Sequence, residues 1–154
     1  MKGETINDLK QLGSFAEPEF LDEKEDYVSI AENKMRKIGR VDKSSNRGKF
    51  GALTTTKIRG ILSLVNKIYN EVITEQSDEL SDVIVNEIRY LKVRMIYEAG
   101  RDSSKFKDIQ KFFETTEIIK AIDHIQTSRK KFFRYANYLE ALVAYHRFFG
   151  GKDH

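Results

Sequence analysis

The segment from Ile58 to Val72 constrains the fold more than any other part of the chain. Its apolar residues follow the i, i+3, i+4, i+7 spacing of one helical face, and they are Ile58, Ile61, Leu62, Val65, Ile68, Tyr69 and Val72. Polar residues line the opposite side, namely Arg59, Ser63, Asn66 and Asn70. A helix with one apolar face is stable when that face is covered. One side of this helix is therefore expected in a core and the other in solvent.

Helical patterns continue on both sides of this segment. Asp26 is placed to cap an earlier helix, whose core side is Tyr27, Ile30, Ala31 and Ile38. Residues 79–100 are apolar around most of a helical circumference, which is typical of a helix surrounded by others, and Gly100 is a natural end. We therefore expect this third helix to be the centre of a bundle.

The remaining patterns are also helical. A fourth segment follows the serine pair at 103–104, and a break is expected near the threonine pair at 115–116. The last long helix follows Ser128. No strand alternation and no internal repeat is present. The predicted fold is all-α: a single compact helical bundle of about five to six helices, with a long central apolar helix and an acidic, poorly ordered N-terminal leader.

Charge is distributed unevenly along the chain. Residues 1–26 contain three lysines and eight Asp or Glu, a net charge of −5, whereas the remainder carries +8. The acidic part holds the only proline, Pro18, and lacks periodicity, so we expect a flexible leader (1–26), a helical-bundle domain (27–151) and a short tail (152–154). The leader is either a solvated segment or one that folds back over the basic face and competes with an anionic ligand.

Composition excludes several classes of protein. The chain has no cysteine, which excludes disulfides, zinc-thiolate sites and thiol catalysis and favours an intracellular setting. Its beginning lacks the apolar region of a signal peptide, and no stretch approaches the roughly 18 apolar residues of a membrane span. A cytosolic or nucleoid-facing protein without a cofactor is predicted.

Lys and Arg residues occupy helix-start positions at which Asp and Glu are normally favoured. Threonines precede Lys57 and Arg59, the serine pair at 103–104 precedes Lys105 and Lys107, and Ser128 precedes a run of three cations at 129–131. Each such cation costs about 0.3 to 1 kcal/mol, but an anion bound at the helix start would reverse the sign. The basic loop at 39–52 adds to this pattern. Nucleic-acid phosphate is the indicated ligand, although Lys and Arg are also ordinary surface helix formers.

Signals for catalysis are weak. His124 and His146 lack the spacing that places metal ligands on one helical face, so no metal site is predicted. The sequence "NRGKFG" lacks the spacing of a phosphate-binding glycine loop. A hydrolase built on His124 or His146 is the weakest of the functional hypotheses.

Three blocks of sequence resemble a known family. The runs "LTTTKIRGILSLVNKIYNEV", "LKVRMIYEAGRD" and "RYANYLEALVAYHRFFGG" resemble the small helical subunit of type III-A CRISPR-Cas effector complexes, over about residues 27–151. The resemblance implies a non-enzymatic subunit in a prokaryotic cytoplasm, present in more than one copy. It would stack beside the repeated backbone subunits and the large subunit, and contact guide RNA and target RNA. Base pairing would supply the specificity, so the protein need only hold sugar-phosphate backbones.

The candidate RNA contacts fall into two groups. Lys57, Arg59 and Arg101 lie in blocks that match the family, whereas charge placement alone suggests Arg47, Lys49, Lys130, Lys131 and Arg134. Arg94 is also a candidate, but Glu98 lies four residues further on and could pair with it. Four residues of the last block are interpreted as core or as a surface for neighbouring subunits: Tyr138, Leu139, Tyr145 and His146.

A second interpretation uses the same charges differently. The chain could be a helical adaptor that binds only protein, with its basic face against an acidic partner. Such an adaptor would protect no RNA from nuclease and would tolerate charge reversal at Lys57.

Overall fold

The computed structural model describes residues 16–39 and 50–153, and in these ranges the chain is helical without a strand. A short 3-10 helix at Glu19–Leu21 precedes the α-helices. The α-helices are α1 (Tyr27–Ile38), α2 (Thr55–Thr74), α3 (Asp82–Arg101), α4 (Asp108–Thr116), α5 (Ile118–Ile125) and α6 (Arg129–Phe148). The prediction of an all-α bundle of five to six helices is confirmed. None of the helices in the described ranges has the length and apolar character needed to cross a bilayer.

Local sequence signals explain most of the helix ends. The Asp26 side chain accepts hydrogen bonds from the backbone N–H groups of Val28 and Ser29 at the start of α1, as predicted. Ser128 caps α6 in the same way. The break expected near residue 116 is at Glu117, whose left-handed backbone (φ 64°) separates α4 from α5.

The last helix, α6, is the centre of the bundle. It packs against α1, α2, α5 and the 3-10 helix. The side chains of Tyr135 and Tyr138 are fully buried, and their hydroxyls donate hydrogen bonds to the carbonyl oxygens of Ile118 and Thr116 at 2.8 and 2.9 Å. These two bonds satisfy polar groups in the core and tie α6 to the α4–α5 junction.

The prediction that residues 79–100 form the central helix is wrong. One face of α3 is buried through Ile84, Ile88, Leu91 and Met95. The other face exposes five large apolar side chains, each more than half accessible, namely Val83, Tyr90, Val93, Ile96 and Tyr97. A helix that is apolar around most of its circumference favours apolar surroundings on both faces. The pattern does not show whether other helices of the same chain cover both of them. Here α3 lies at the surface of the bundle.

The packed body begins before residue 27. Phe20 and Leu21, in the 3-10 helix, are buried, and the Phe20 ring stacks on Tyr138 with 3.6 Å between centroids. Two apolar residues in the second part of the acidic leader are thus part of the core. The first part, residues 1–15, and the basic loop residues 40–49 lie outside the described ranges.

Candidate nucleic-acid interface

The start of α2 is closed by the protein's own chain. The Thr54 side chain accepts the N–H of Lys57 at 3.2 Å, and the Thr55 N–H donates to the carbonyl oxygen of Lys152 at 2.8 Å. The C-terminal segment is held there because Gly151 packs against the buried ring of His146. The backbone N–H groups of Thr55 and Lys57 therefore already have intramolecular acceptors.

The side chains of this helix start remain available. Lys57 and Arg59 are exposed and form no ion pair with any residue in the described ranges. Two residues correspond to about 200° of helix rotation, so the two cations leave α2 on different sides. A ligand that uses both must therefore lie across the end of α2 rather than along one of its faces.

The start of α2, which carries Lys57, lies near the loop that follows α3, since the Ala52 N–H donates to the Asp108 carboxylate at 2.9 Å. Burial by itself would raise the pKa of Asp102, just beyond α3, but hydrogen bonds from Ser104 and Ile109 and the charge of Lys57 lower it below its usual value. Asp102 is therefore an ionised, buried carboxylate. The α3 end also carries Arg101.

The loop between α3 and α4 corrects one sequence prediction. α4 begins at Asp108 rather than directly after Ser104, because Lys107 adopts a left-handed conformation (φ 51°). The Asp102 carboxylate accepts the N–H of Ile109 at 2.9 Å, and the Lys107 ammonium donates to the Asp102 carbonyl oxygen at 3.0 Å. Lys107 consequently lies at the α3 end and not in the first turn of a helix.

Arg101 and Arg94 differ from expectation in their partners. Glu98 pairs with Arg101 at 3.3 Å, and the Arg101 side chain remains 57% exposed. Arg94 is exposed and has no ion pair within the described ranges. It lines the groove between α2 and α3, together with Lys67 and Tyr90. The alternative in which Glu98 simply neutralises Arg94 is therefore wrong.

Four cations thus collect at one end of the bundle, which we call the open basic cluster: Lys57, Arg59, Arg101 and Lys107. Sequence reasoning noticed Lys107 only as part of a supposed helix start. Lys107 belongs to the open basic cluster because of the conformation of the α3–α4 loop. The local sequence signal of that conformation is Asp102 two residues before Ser104, whose N–H the Asp102 carboxylate accepts.

The predicted cations of α6 lie at the opposite end. The α6 start contacts the α2 end, because Arg129 donates to the carbonyl oxygen of Ser77, while His146 near the α6 end contacts Leu53 before α2. Both helices have 20 residues, so the two ends are about 30 Å apart. Lys130, Lys131 and Arg134 are therefore not brought together with the open basic cluster.

The α6 cations also have partners of their own. The Lys131 ammonium lies 2.6 Å from the Glu17 carboxylate, and the Arg134 guanidinium donates to the carbonyl oxygens of Phe20 and Glu25. Lys130 is exposed. Arg47 and Lys49 lie outside the described residues, and their RNA contacts stay predictions.

His146 is buried in the core. The Nε2 atom of His146 lies 2.7 Å from the Leu53 carbonyl oxygen, and burial lowers the pKa of His146, so the neutral ring donates this bond. The interpretation of His146, Tyr138 and Leu139 as core residues is confirmed. Across residues 16–39 and 50–153, no group of three His, Cys, Asp or Glu side chains is arranged to hold a metal ion.

Comparison with known proteins supports the resemblance noted in the sequence. The family model described as "Csm2 Type III-A" matches residues 32–152. The CRISPR system Cms protein Csm2 of Streptococcus thermophilus is 37% identical over 129 residues, which cover 84% of this chain and 95% of that protein. The protein of the same name from Enterococcus italicus is 36% identical over 130 residues, 79% of this chain and 90% of that protein. The protein of that name from Mycobacterium tuberculosis is 31% identical over 101 residues, 66% and 78% of the two chains. The chain therefore belongs to the Csm2 family of type III-A CRISPR systems.

Proposed function

We propose that this protein is the small, non-catalytic subunit of a type III-A CRISPR effector complex and that it holds RNA backbone with the open basic cluster. It acts in the cytoplasm of a prokaryotic cell, in more than one copy, beside the repeated backbone subunits and the large subunit. Its ligand is the guide RNA and the target RNA paired with it. The observation that carries the RNA contact is the set of exposed cations at the α2 start and the α3 end.

The geometry of this cluster suits a backbone rather than a base. Its cations lie on rigid helix ends and on a loop tied by Asp102, so their spacing is preorganised. The ion pair between Arg101 and the half-buried Glu98 lies at the surface and contributes little, and it leaves most of the five guanidinium N–H donors available to phosphate. Arg94 extends the positive charge along α3, since seven residues correspond to about 10 Å of helix.

A second surface supports the assembly part of the proposal. The exposed apolar residues on the outer face of α3 are typical of a protein contact. In the complex this face would lie against a neighbouring subunit. In this proposal the open basic cluster contacts RNA and the outer face of α3 contacts protein.

The proposal is tested with the double variant Lys57→Ala/Arg59→Ala. Binding of the full chain to single-stranded oligouridine is measured by fluorescence anisotropy across a salt series. If both cations contact phosphates, the slope of log K against log salt becomes shallower by roughly 1.4, because each single-strand phosphate contact contributes about 0.7. Circular dichroism should show unchanged helicity, since both side chains are exposed.

The matched control is Lys67→Ala/Arg89→Ala, which removes one exposed Lys and one exposed Arg further along α2 and α3. Its slope should change much less. An equal change in both double variants would mean that only net charge matters and would remove the cluster from the proposal. An adaptor that binds only protein predicts no salt-dependent RNA binding by the wild type and no nuclease protection of RNA in the purified complex.

A further inference from the structure

The acidic segment 17–25, which we call the guard segment, lies over the basic start of α6. A cleft of about 660 Å³ separates the two. Three acidic and three basic side chains line it, so that their formal charges cancel: Glu17, Asp22 and Glu23 against Lys130, Lys131 and Arg134. The cleft therefore has the cations of a polyanion site, but its lining has no net formal charge.

The guard segment is held by contacts that do not depend on its carboxylates. Phe20 and Leu21 are 1% and 3% exposed, so the segment is anchored in the core. The Arg134 guanidinium donates to two of its backbone carbonyl oxygens. Its acidic side chains are exposed, and only Glu17 forms an ion pair within the described ranges. Burial of the anchors thus fixes the position of the segment, while the carboxylates are left to act electrostatically.

We infer that the guard segment is an intramolecular electrostatic guard that keeps polyanions away from the α6 start and leaves the open basic cluster as the RNA-binding end. This inference rests on the proposed function. A polyanion can compete with a surface carboxylate for Lys131, but it cannot remove the segment without exposing Phe20 and Leu21. The guard therefore works by permanent charge neutralisation rather than by opening. The bundle would otherwise be basic at both ends; with the guard segment, one end binds RNA and the other does not attract it.

The experiment compares Glu17→Gln/Glu23→Gln with the control Glu114→Gln/Glu140→Gln, which makes the same chemical change at exposed positions on α4 and α6. The full chain is titrated into single-stranded oligouridine across a salt series. The guard variant should bind several-fold more tightly at low salt, and its salt slope should be steeper by roughly 0.7 for each additional phosphate that the protein binds. The control should change little.

A third variant tests whether Lys131 is the residue that causes this tighter binding. Adding Lys131→Ala to the guard variant should return affinity and slope to wild-type values. In the guard variant Lys131 loses Glu17, its one ion-pair partner among residues 16–39 and 50–153, and becomes the new phosphate ligand. The inference is overturned if the guard and control variants behave alike, or if the tighter binding survives Lys131→Ala. Thermal unfolding should show that all three variants remain folded, since exposed ion pairs contribute at most about 1 kcal/mol.

The outcomes separate this inference from the proposed function. If Lys57→Ala/Arg59→Ala weakens binding while the guard variant matches its control, the guard is refuted and the open basic cluster stands. If Lys57→Ala/Arg59→Ala has no effect while the guard variant binds RNA more tightly in a way that depends on Lys131, the guard stands and the proposed RNA-binding end is refuted.

Discussion

Phe20→Ala tests whether the acidic leader belongs to the folded body. The Phe20 side chain is 1% exposed, stacks on Tyr138 at 3.6 Å and lies 6.2 Å from the Tyr135 ring. Truncation of a fully buried Phe costs about 3 to 5 kcal/mol through lost transfer free energy and the cavity that remains. The stacked pair adds about 0.5 to 1.5 kcal/mol to the burial of its area. We expect the free energy of unfolding to fall by about 4 kcal/mol.

Urea unfolding followed by circular dichroism measures this loss. With a slope of about 2 kcal/mol per molar urea, the midpoint should fall by roughly 2 M. The control is Phe148→Ala, the same substitution at a side chain that is 79% exposed, and it should change the free energy by less than about 0.5 kcal/mol. Equal midpoints for the two variants would refute the packing of residues 19–21 in solution, and with it the position of the guard segment.

Two further predictions concern the end of the bundle that carries the open basic cluster. Asp102→Asn should destabilise the fold by about 1 to 3 kcal/mol, because the amide cannot accept both the Ser104 and Ile109 N–H bonds. The pKa of Asp102 is lower in the folded state, so its contribution is complete above the unfolded value of about 3.9 and is lost as the pH falls further. The gap between wild type and variant in urea unfolding should therefore be constant from neutral pH to about pH 5 and narrow below pH 4; a gap that widens on acidification contradicts this assignment. Gly151→Ala would place a Cβ 2.1 Å from the His146 ring and should cost about 1 to 3 kcal/mol, whereas Gly100→Ala meets open space and should stabilise by up to about 1 kcal/mol. Thermal unfolding of both glycine variants is the measurement, and a Gly151→Ala protein as stable as wild type would mean that the tail does not pack on His146.

Sequence patterns predicted what depends on neighbours within one or two helical turns. The core face of α2 follows from its period, and Asp26 and Ser128 cap the helices that they precede. Such features are local because a cap or an amphipathic face is determined by residues three or four positions apart. The same limitation explains the error at Ser104. The capping preference of serine predicts a helix start there. The Asp102 carboxylate instead accepts the N–H of Ile109, and α4 begins at Asp108.

The arrangement of the charges required the tertiary structure. Cations at three supposed helix starts look equivalent in the sequence, yet antiparallel packing of 20-residue helices places those of α2 and α6 about 30 Å apart. Long-range burial likewise decides the position of residues 19–21, because Phe20 packs on Tyr138, which is more than a hundred residues away in the chain. The sequence by itself determined an all-α protein of the Csm2 family with an excess of positive charge. Only the packing decided which basic end is open and which is neutralised, since contacts between residues distant in the chain carry no local pattern.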